Sequence, residues 1–272
     1  MNELLSSITK LKIEDRQLPF SVYSSIHEQT LLNVPITKPL LMVVLSGQKK
    51  LGKNSEISCP ANHFIFLSDS PAINMRNIPK DNAYMALLIE FDYQDFDGIP
   101  VGDDTKSEFI TGEATPVIQQ CLQQFVESST WAPKELFSLR KKEILLLLFQ
   151  SGHKDVVAMM GKPKVSHKLH DLFNQVGFHE KEYELTLDVI CEKLAMSEST
   201  LRRKLKSEGT SVQEIKDKAR LGLGLHLLQT TESAIGLIAQ MCGYHSQSRF
   251  TDRFKGHFGL TPTELRKTKM TD

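Results

Sequence analysis

The chain has 272 residues, 40% hydrophobic and 24% charged, long enough for one large domain or two ordinary ones around a sizeable core. Its start, MNELLSSITKLKIEDRQ, lacks a basic stretch followed by an apolar run, and its longest aliphatic stretch, Ile144 to Phe149, is too short for a bilayer; neither a secretory signal nor a membrane span is expected. Four cysteines without paired spacing (Cys59, Cys121, Cys191 and Cys242) argue against a zinc site or disulfide framework and fit a reducing cytoplasm, while a formal net charge of zero gives nucleic-acid binding no support by itself.

The first hundred residues read as short strands between turns. Leu40–Leu45 is an apolar run before Gly47, and Lys49–Ser58 is a polar hairpin around Gly52-Lys53-Asn54. His63–Leu67 is a buried-strand run stopped by a Ser68-Asp69-Ser70-Pro71 turn, and Ala83–Phe91 is another, after Pro79-Lys80-Asp81-Asn82. Strands at roughly ten-residue spacing predict a β-sandwich or barrel. The acidic segment Asp92–Asp104 is expected to end this part.

From Glu113 the period becomes helical. Val117, Cys121, Leu122 and Phe125 share a face, and Pro116 suits a first turn. A second helix is predicted from Lys134 to about Ser151, capped by Gly152. Its leucines exceed one stripe, which fits packing on the β-rich part and equally a helix–helix dimer contact. Gly161-Lys162-Pro163-Lys164 is the expected linker between a domain of residues 1–163 and one of residues 164–272. The first carries a net −3 (16 basic, 19 acidic residues) and the second +3 (17 basic, 14 acidic), a modest asymmetry.

Two helix-turn-helix units are predicted in the second half. The first spans about 186–209. Val189, Ile190, Leu194 and Ala195 form the inner face of its first helix, with small Ala195 at a tight crossing. Met196-Ser197 makes the turn, Ser197 caps the second helix, Leu201 and Leu205 point inward, and Gly209 stops it. Ser199, Arg202, Arg203 and Lys206 then fall on other faces, where arginine can hydrogen-bond guanine or hold phosphates. The second unit spans about 233–258. Ile235, Ile238 and Ala239 face inward, Gly243 allows the turn, Ser246 caps, and Phe250 and Phe254 are a core pair. Gln247, Ser248 and Arg249 occupy the exposed first turn; Arg253 and Lys255 suit phosphates or solvent. Between the units, Ser211 to Gln229 is an amphipathic linker helix that would space the two recognition helices.

Residues from about 166 to 267 resemble the DNA-binding domain of the AraC/XylS family. The resemblance rests on Leu194-Ala195, Ser197, Leu201, Leu205, Glu208-Gly209-Thr210-Ser211, Arg220 and Ile238-Ala239. Its strongest part is Gly243-Tyr244-His245-Ser246-Gln247-Ser248-Arg249-Phe250, followed by Phe254-Lys255, Phe258-Gly259 and Thr261-Pro262. It implies base contacts from Ser199, Arg202 and Arg203 in the first unit and from Ser248, Arg249 and Asp252 in the second. Gly222 and Gly224 depart from the family's helix formers, predicting extra flexibility or unusually close packing. Asp252 stands where some relatives carry arginine.

The β-rich start also resembles the cupin-like sensory domain joined to many such regulators, over about residues 20–100. The expected fold is therefore α+β in two domains: a cupin-like β-barrel or sandwich with following helices (about 113–151), then an all-α domain with two helix-turn-helix units. The resemblance implies a cytoplasmic, homodimeric transcription regulator of promoter DNA, with a small-molecule effector and RNA polymerase as further partners and no membrane or cofactor. Val43, Leu45, Phe64, Phe66, Leu88 and Phe91 either line a pocket or fill the core. An enzyme is disfavoured: His27, His63 and His153 are unpaired where a cupin metal centre needs several close histidines and a carboxylate, and no nucleophile elbow, P-loop or dinucleotide motif occurs. A DNA-architectural protein without ligand control is the remaining alternative.

Overall fold

A computed structural model describes residues 1–11, 18–68, 70–100, 109–158, 164–178 and 185–269. The chain opens with helix α1 (Asn2–Lys10) and continues into strands β1 (Ser21–Ser25), β2 (Gln29–Ile36), β3 (Leu40–Ser46), β4 (Gln48–Leu51), β5 (Ile57–Pro60), β6 (His63–Leu67), β7 (Ser70–Ile78), β8 (Tyr84–Glu90) and β9 (Phe109–Glu113). They form two antiparallel sheets, one in the order β1-β8-β3-β6-β9 and the other β2-β7-β4-β5. Helices follow: α2 (Pro116–Ser128), α3 (Leu136–Gln150), the short α4 (Asp155–Ala158) and α5 (Val165–Val176). The rest is α6 (Leu187–Lys193), α7 (Glu198–Ser207), α8 (Val212–Thr230), α9 (Ile235–Met241), α10 (Gln247–Phe258) and α11 (Pro262–Thr268).

The run LLMVVL forms the central strand of the five-stranded sheet because both faces of that sheet are covered. Leu41, Val43 and Leu45 point with Phe64, Phe66, Leu87 and Ile89 toward α1, α2 and α3. Leu40, Met42 and Val44 point with Ile65, Leu67 and Ala86 into the space between the sheets. A strand buried on both sides needs continuous apolar sequence, whereas the hairpin β4–β5, pairing Gln48 with Pro60 through Leu51 with Ile57, alternates.

Three expectations change. The β-rich part does not end in the acidic segment, of which residues 101–104 lie outside the described residues: Phe109–Glu113 returns as an edge strand, pairing Leu67 with Phe109 and His63 with Glu113. Its FITGE sequence is half polar because only one edge is bonded and its side chains are only partly covered. The turn after Leu67 is shorter than expected, since Ser70 already pairs with Ile36; Pro71 is tolerated near a strand start, and Asp69 lies outside the described residues. The helix predicted from Lys134 begins at Leu136, after turn hydrogen bonds from Leu136 N to Pro133 O and Phe137 N to Lys134 O. Of the expected linker, residues 161–163 lie outside the described residues, and Lys164 is the N-cap of α5.

Three apolar cores result. One joins the outer face of the five-stranded sheet to α1, α2 and α3. A small one joins α5, α6, α7 and the first half of α8 through Leu169, Phe173, Ile190, Leu201, Leu205 and Ala219. The third joins the interior between the sheets to the second half of α8 and to α9, α10 and α11. The linker helix thus contributes to two cores, which explains why Leu221 and Leu225 are buried beyond the single stripe an isolated linker would need.

Polar bonds fasten the helical half to the sheets. Lys38 pairs with Asp92 at 2.7 Å and with Asp171 of α5 at 3.2 Å. Tyr93 hydrogen-bonds and stacks on His167. The Asn33 amide donates to His257 O at 3.1 Å, and Ile26 N donates to Thr268 O at 2.8 Å.

Candidate nucleic-acid interface and interdomain cavity

Each recognition helix begins at a serine that satisfies a free backbone N–H. Ser197 Oγ accepts from Thr200 N at 3.3 Å, and Ser246 Oγ accepts from Arg249 N at 3.3 Å. Thr186 and Ser211 cap α6 and α8 the same way, and Thr261 forms a reciprocal capping box with Glu264. Gly243 and Gly259 adopt positive φ of 74° and 84°, supplying the turn before α10 and its stop.

Burial of Leu201 and Leu205 on one helix, and of Phe250, Phe254 and Phe258 on the other, fixes which faces are free. Ser199, Arg202, Arg203 and Lys206 are all exposed on α7, as are Gln247, Ser248, Arg249, Asp252 and Arg253 on α10. The structure therefore brings these residues together as two sets, one per helix. Arg202 is engaged within its own helix, Nε lying 2.7 Å from Glu198.

Ala195 departs from its expected place. It is exposed, lies outside α6 and has a φ of 51°, so it belongs to the turn; its small side chain limits the cost of a left-handed backbone. Val189 and Leu194 are half-buried, and Ile190 carries the inner face of α6.

The two glycines of α8 resolve differently. A Cβ at Gly224 would lie 2.7 Å from the Phe250 ring, so this glycine exists for close packing of α8 on α10. A Cβ at Gly222 would meet only Pro35 at 3.7 Å, and that residue lines a cavity. Sequence reasoning also missed two supports. Glu208 accepts from Val165 N and Ser166 N at 2.9 and 2.8 Å, holding the start of α5 to the end of α7. Arg220 lies between the rings of Phe178 and Tyr244, 5.6 and 5.8 Å from their centres, joining the loop after α5 to the turn of the second unit.

The cavity, about 490 Å³, lies between the four-stranded sheet, β1, α5 and α8. Leu31, Val34, Met42, Met75 and Leu88 line its apolar wall, with Phe173 and Leu223 opposite. Of the strand residues singled out from the sequence, Leu88 lines this space; Val43, Leu45, Phe64, Phe66 and Phe91 fill the core on the other face of their sheet. Tyr23, Glu90, Lys141, His170 and His226 supply polar walls. Burial pushes the His170 imidazole down to about 4, with Lys38 and His167 adding repulsion.

His63 bonds Ala61 O at 3.1 Å, His153 packs edge-on against Phe64, and His27 is exposed. Among the described residues, no three His, Cys, Asp or Glu side chains converge as a metal site.

Residues 190–268 match the family model described as a helix-turn-helix domain. Three proteins of Escherichia coli K12 are similar over part of the chain. The transcriptional regulator GadX is 38% identical over 85 residues, 31% of this chain and 31% of its own length. The transcriptional regulator YdeO is 36% identical over 107 residues, 39% of this chain and 40% of its own. The porin thermoregulatory protein EnvY is 38% identical over 76 residues, 28% and 30% of the two chains. The matches thus span only about a third of these relatives. The matched residues 190–268 contain, save the first residues of α6, both pairs of helices, α6–α7 and α9–α10, predicted from the sequence as helix-turn-helix units. Over nearly the whole chain the fold is that of ToxT from Vibrio cholerae. An unsaturated-fatty-acid-bound structure of wild-type ToxT has a TM-score of 0.65 at 18% identity, covering 96% of this chain and 98% of ToxT. A second ToxT structure gives 0.65 and 18% over 94% and 100%.

Proposed function

We propose that this chain is a sequence-specific DNA-binding transcription regulator, controlled by a small molecule held in its interdomain cavity. One observation carries the reading. The matched helix-turn-helix region presents two serine-capped helices whose nine candidate residues are all solvent-exposed, as major-groove reading requires. Arg202 and Arg203, with Ser199 and Lys206, are assigned to the first half of the site; Ser248, Arg249 and Asp252, flanked by Gln247 and Arg253, to the second. The reading divides the chain into a sensing and dimerising domain (1–163) and a DNA-binding domain (164–272). The effector assignment draws on the fatty acid named for ToxT and on this chain's own largely apolar cavity.

The remaining parts of the proposal are a cytoplasmic location, no catalytic activity, promoter DNA and RNA polymerase as macromolecular partners, and a homodimer. Free cysteines at all four positions suit the location, and no helix among the described residues is long and apolar enough to cross a membrane. Leu139 and Trp131, 63% and 68% exposed on and beside α3, supply apolar surface for a second copy. Chromatin immunoprecipitation with sequencing is the test: discrete peaks sharing one motif support the proposal, and uniform DNA occupancy favours an architectural protein. Sedimentation of the full chain and of Leu139→Glu tests the dimer.

A further inference from the structure

Lys49 stands on β4 with its side chain turned inward and 3% exposed. Its Nζ donates to Asn77 Oδ1 at 2.7 Å and, at a long 3.4 Å, to the Tyr84 hydroxyl. Among the described residues no carboxylate forms an ion pair with it. The nearby Cys59 thiol is pushed up to about 11 by burial and is therefore uncharged. Burial also lowers the Lys49 ammonium to about 8, which leaves it charged at neutral pH. A buried ammonium with two neutral acceptors is a costly arrangement unless an anion offsets it. Both Lys49 and Asn77 lie on the cavity wall, among Leu31, Met42 and Met75. The other polar walls differ in kind. Glu90 and Lys141 there oppose one another in charge, and Lys141 also lies 3.8 Å from Asp95.

From Lys49 a directed series of hydrogen bonds leaves the sheet. Asn77 Nδ2 donates to Gln29 Oε1 at 2.8 Å, and Gln229 Nε2, at the end of α8, donates to the same oxygen at 3.2 Å. Gln29 Nε2 donates to Thr268 Oγ1 of α11 at 2.8 Å, and that hydroxyl donates to Leu265 O at 2.6 Å. Asn77, Gln29 and Gln229 are each at most 2% exposed, so water does not replace a lost partner. An amide has one donating and one accepting end. Turning Asn77 away from Lys49 therefore breaks the bond to Gln29 as well. Gln229 Oε1 is buried without a partner, so the series ends in an unused acceptor on α8.

We infer that Lys49 receives an anionic group of the effector, and that Asn77 and Gln29 pass its arrival to Gln229 and Thr268, repositioning the second helix-turn-helix unit. This rests on the effector reading above and adds the head-group chemistry, its anchor and the route out of the cavity.

The experiment uses the full chain with oleate and methyl oleate below their aggregation limits. Calorimetry reads affinity, and hydrogen exchange reads α8 and α11. The wild type binds oleate about tenfold or more tighter than the ester. Lys49→Met, which replaces a buried charge by an apolar side chain of similar volume, binds both alike. Asn77→Asp, isosteric and supplying an internal carboxylate, loses the same preference. Gln29→Leu keeps the wild-type preference but abolishes the ligand-induced exchange change in α11. The inference is overturned if the wild type binds acid and ester equally, if Lys49→Met keeps the preference, or if Gln29→Leu keeps the exchange change. If neither probe binds the wild type, the effector reading and this inference fall together.

Discussion

Glu198 holds Arg202: the carboxylate accepts from the guanidinium Nε at 2.7 Å, one turn apart on the exposed face of α7. An exposed pair of this spacing contributes only ~0.3–0.5 kcal/mol, so DNA can displace it at small cost. Arg202→Ala and Arg203→Ala are expected to lose about 1–3 kcal/mol of specific promoter affinity each, with unchanged thermal unfolding. Glu198→Gln should strengthen binding by about twofold by releasing the guanidinium. Gel shifts at fixed salt check all three; unchanged affinity in both arginine variants sinks their assignment.

Arg253, exposed on α10 beyond the capped first turn, is placed for phosphate contact. Arg253→Ala should weaken binding to specific and random DNA alike. It should also reduce the slope of log affinity against log salt by about one. A loss confined to the specific sequence would move Arg253 into the base-reading set.

Gly222 and Gly224 are two residues apart and should respond oppositely to alanine. At Gly224 the new Cβ meets the Phe250 ring, and the overpacking should cost about 1–3 kcal/mol in urea unfolding. At Gly222 the contact with Pro35 is ordinary, so helix propensity should dominate and alanine should stabilise by up to ~1 kcal/mol. Equal effects at both positions would contradict the close approach of α8 and α10.

His170 makes stability depend on pH. Burial, then Lys38 and His167, hold its folded-state value at about 4, below the ~6.5 of an unfolded histidine. Between those values the native state binds fewer protons than the unfolded chain. The contribution is therefore whole above pH ~6.5 and is lost as pH falls toward 4, on the order of 3 kcal/mol in all. Urea unfolding at pH 7 and pH 4 should show the wild type losing that much more than His170→Gln.

What the sequence made legible follows from how local each signal is. Serine caps, positive-φ glycines and aromatic pairs one turn apart are set within a few residues, and both helix-turn-helix units stand where they read. The run Leu40–Leu45 announced itself because a strand covered on two faces is apolar throughout. Strands β1, β2 and β9 are partly polar and take their identity from distant partners: Ser21–Ser25 pairs with β8, some sixty residues on. The cavity escaped for a related reason. Its wall combines Lys49, His170 and Gly222, from three distant stretches, and none carries a motif. Ala195 misled because a small apolar residue beside a helix reads as interior, while its backbone conformation is invisible in the pattern.

The apolar core that runs from between the sheets into α10 and α11 has a bearing on how the molecule comes apart. The expected linker is residues 161–164, yet the two apolar cores divide within α8, between Ala219 and Leu221, and separate opening is expected to divide there too. Slow amide exchange in Phe250–Phe258 should track that of the strands, while α6 and α7 open at lower cost. A fragment beginning at residue 164 would leave Phe254, Phe258 and Leu265 without the sheet residues of their core, although it contains every residue of both helix-turn-helix units.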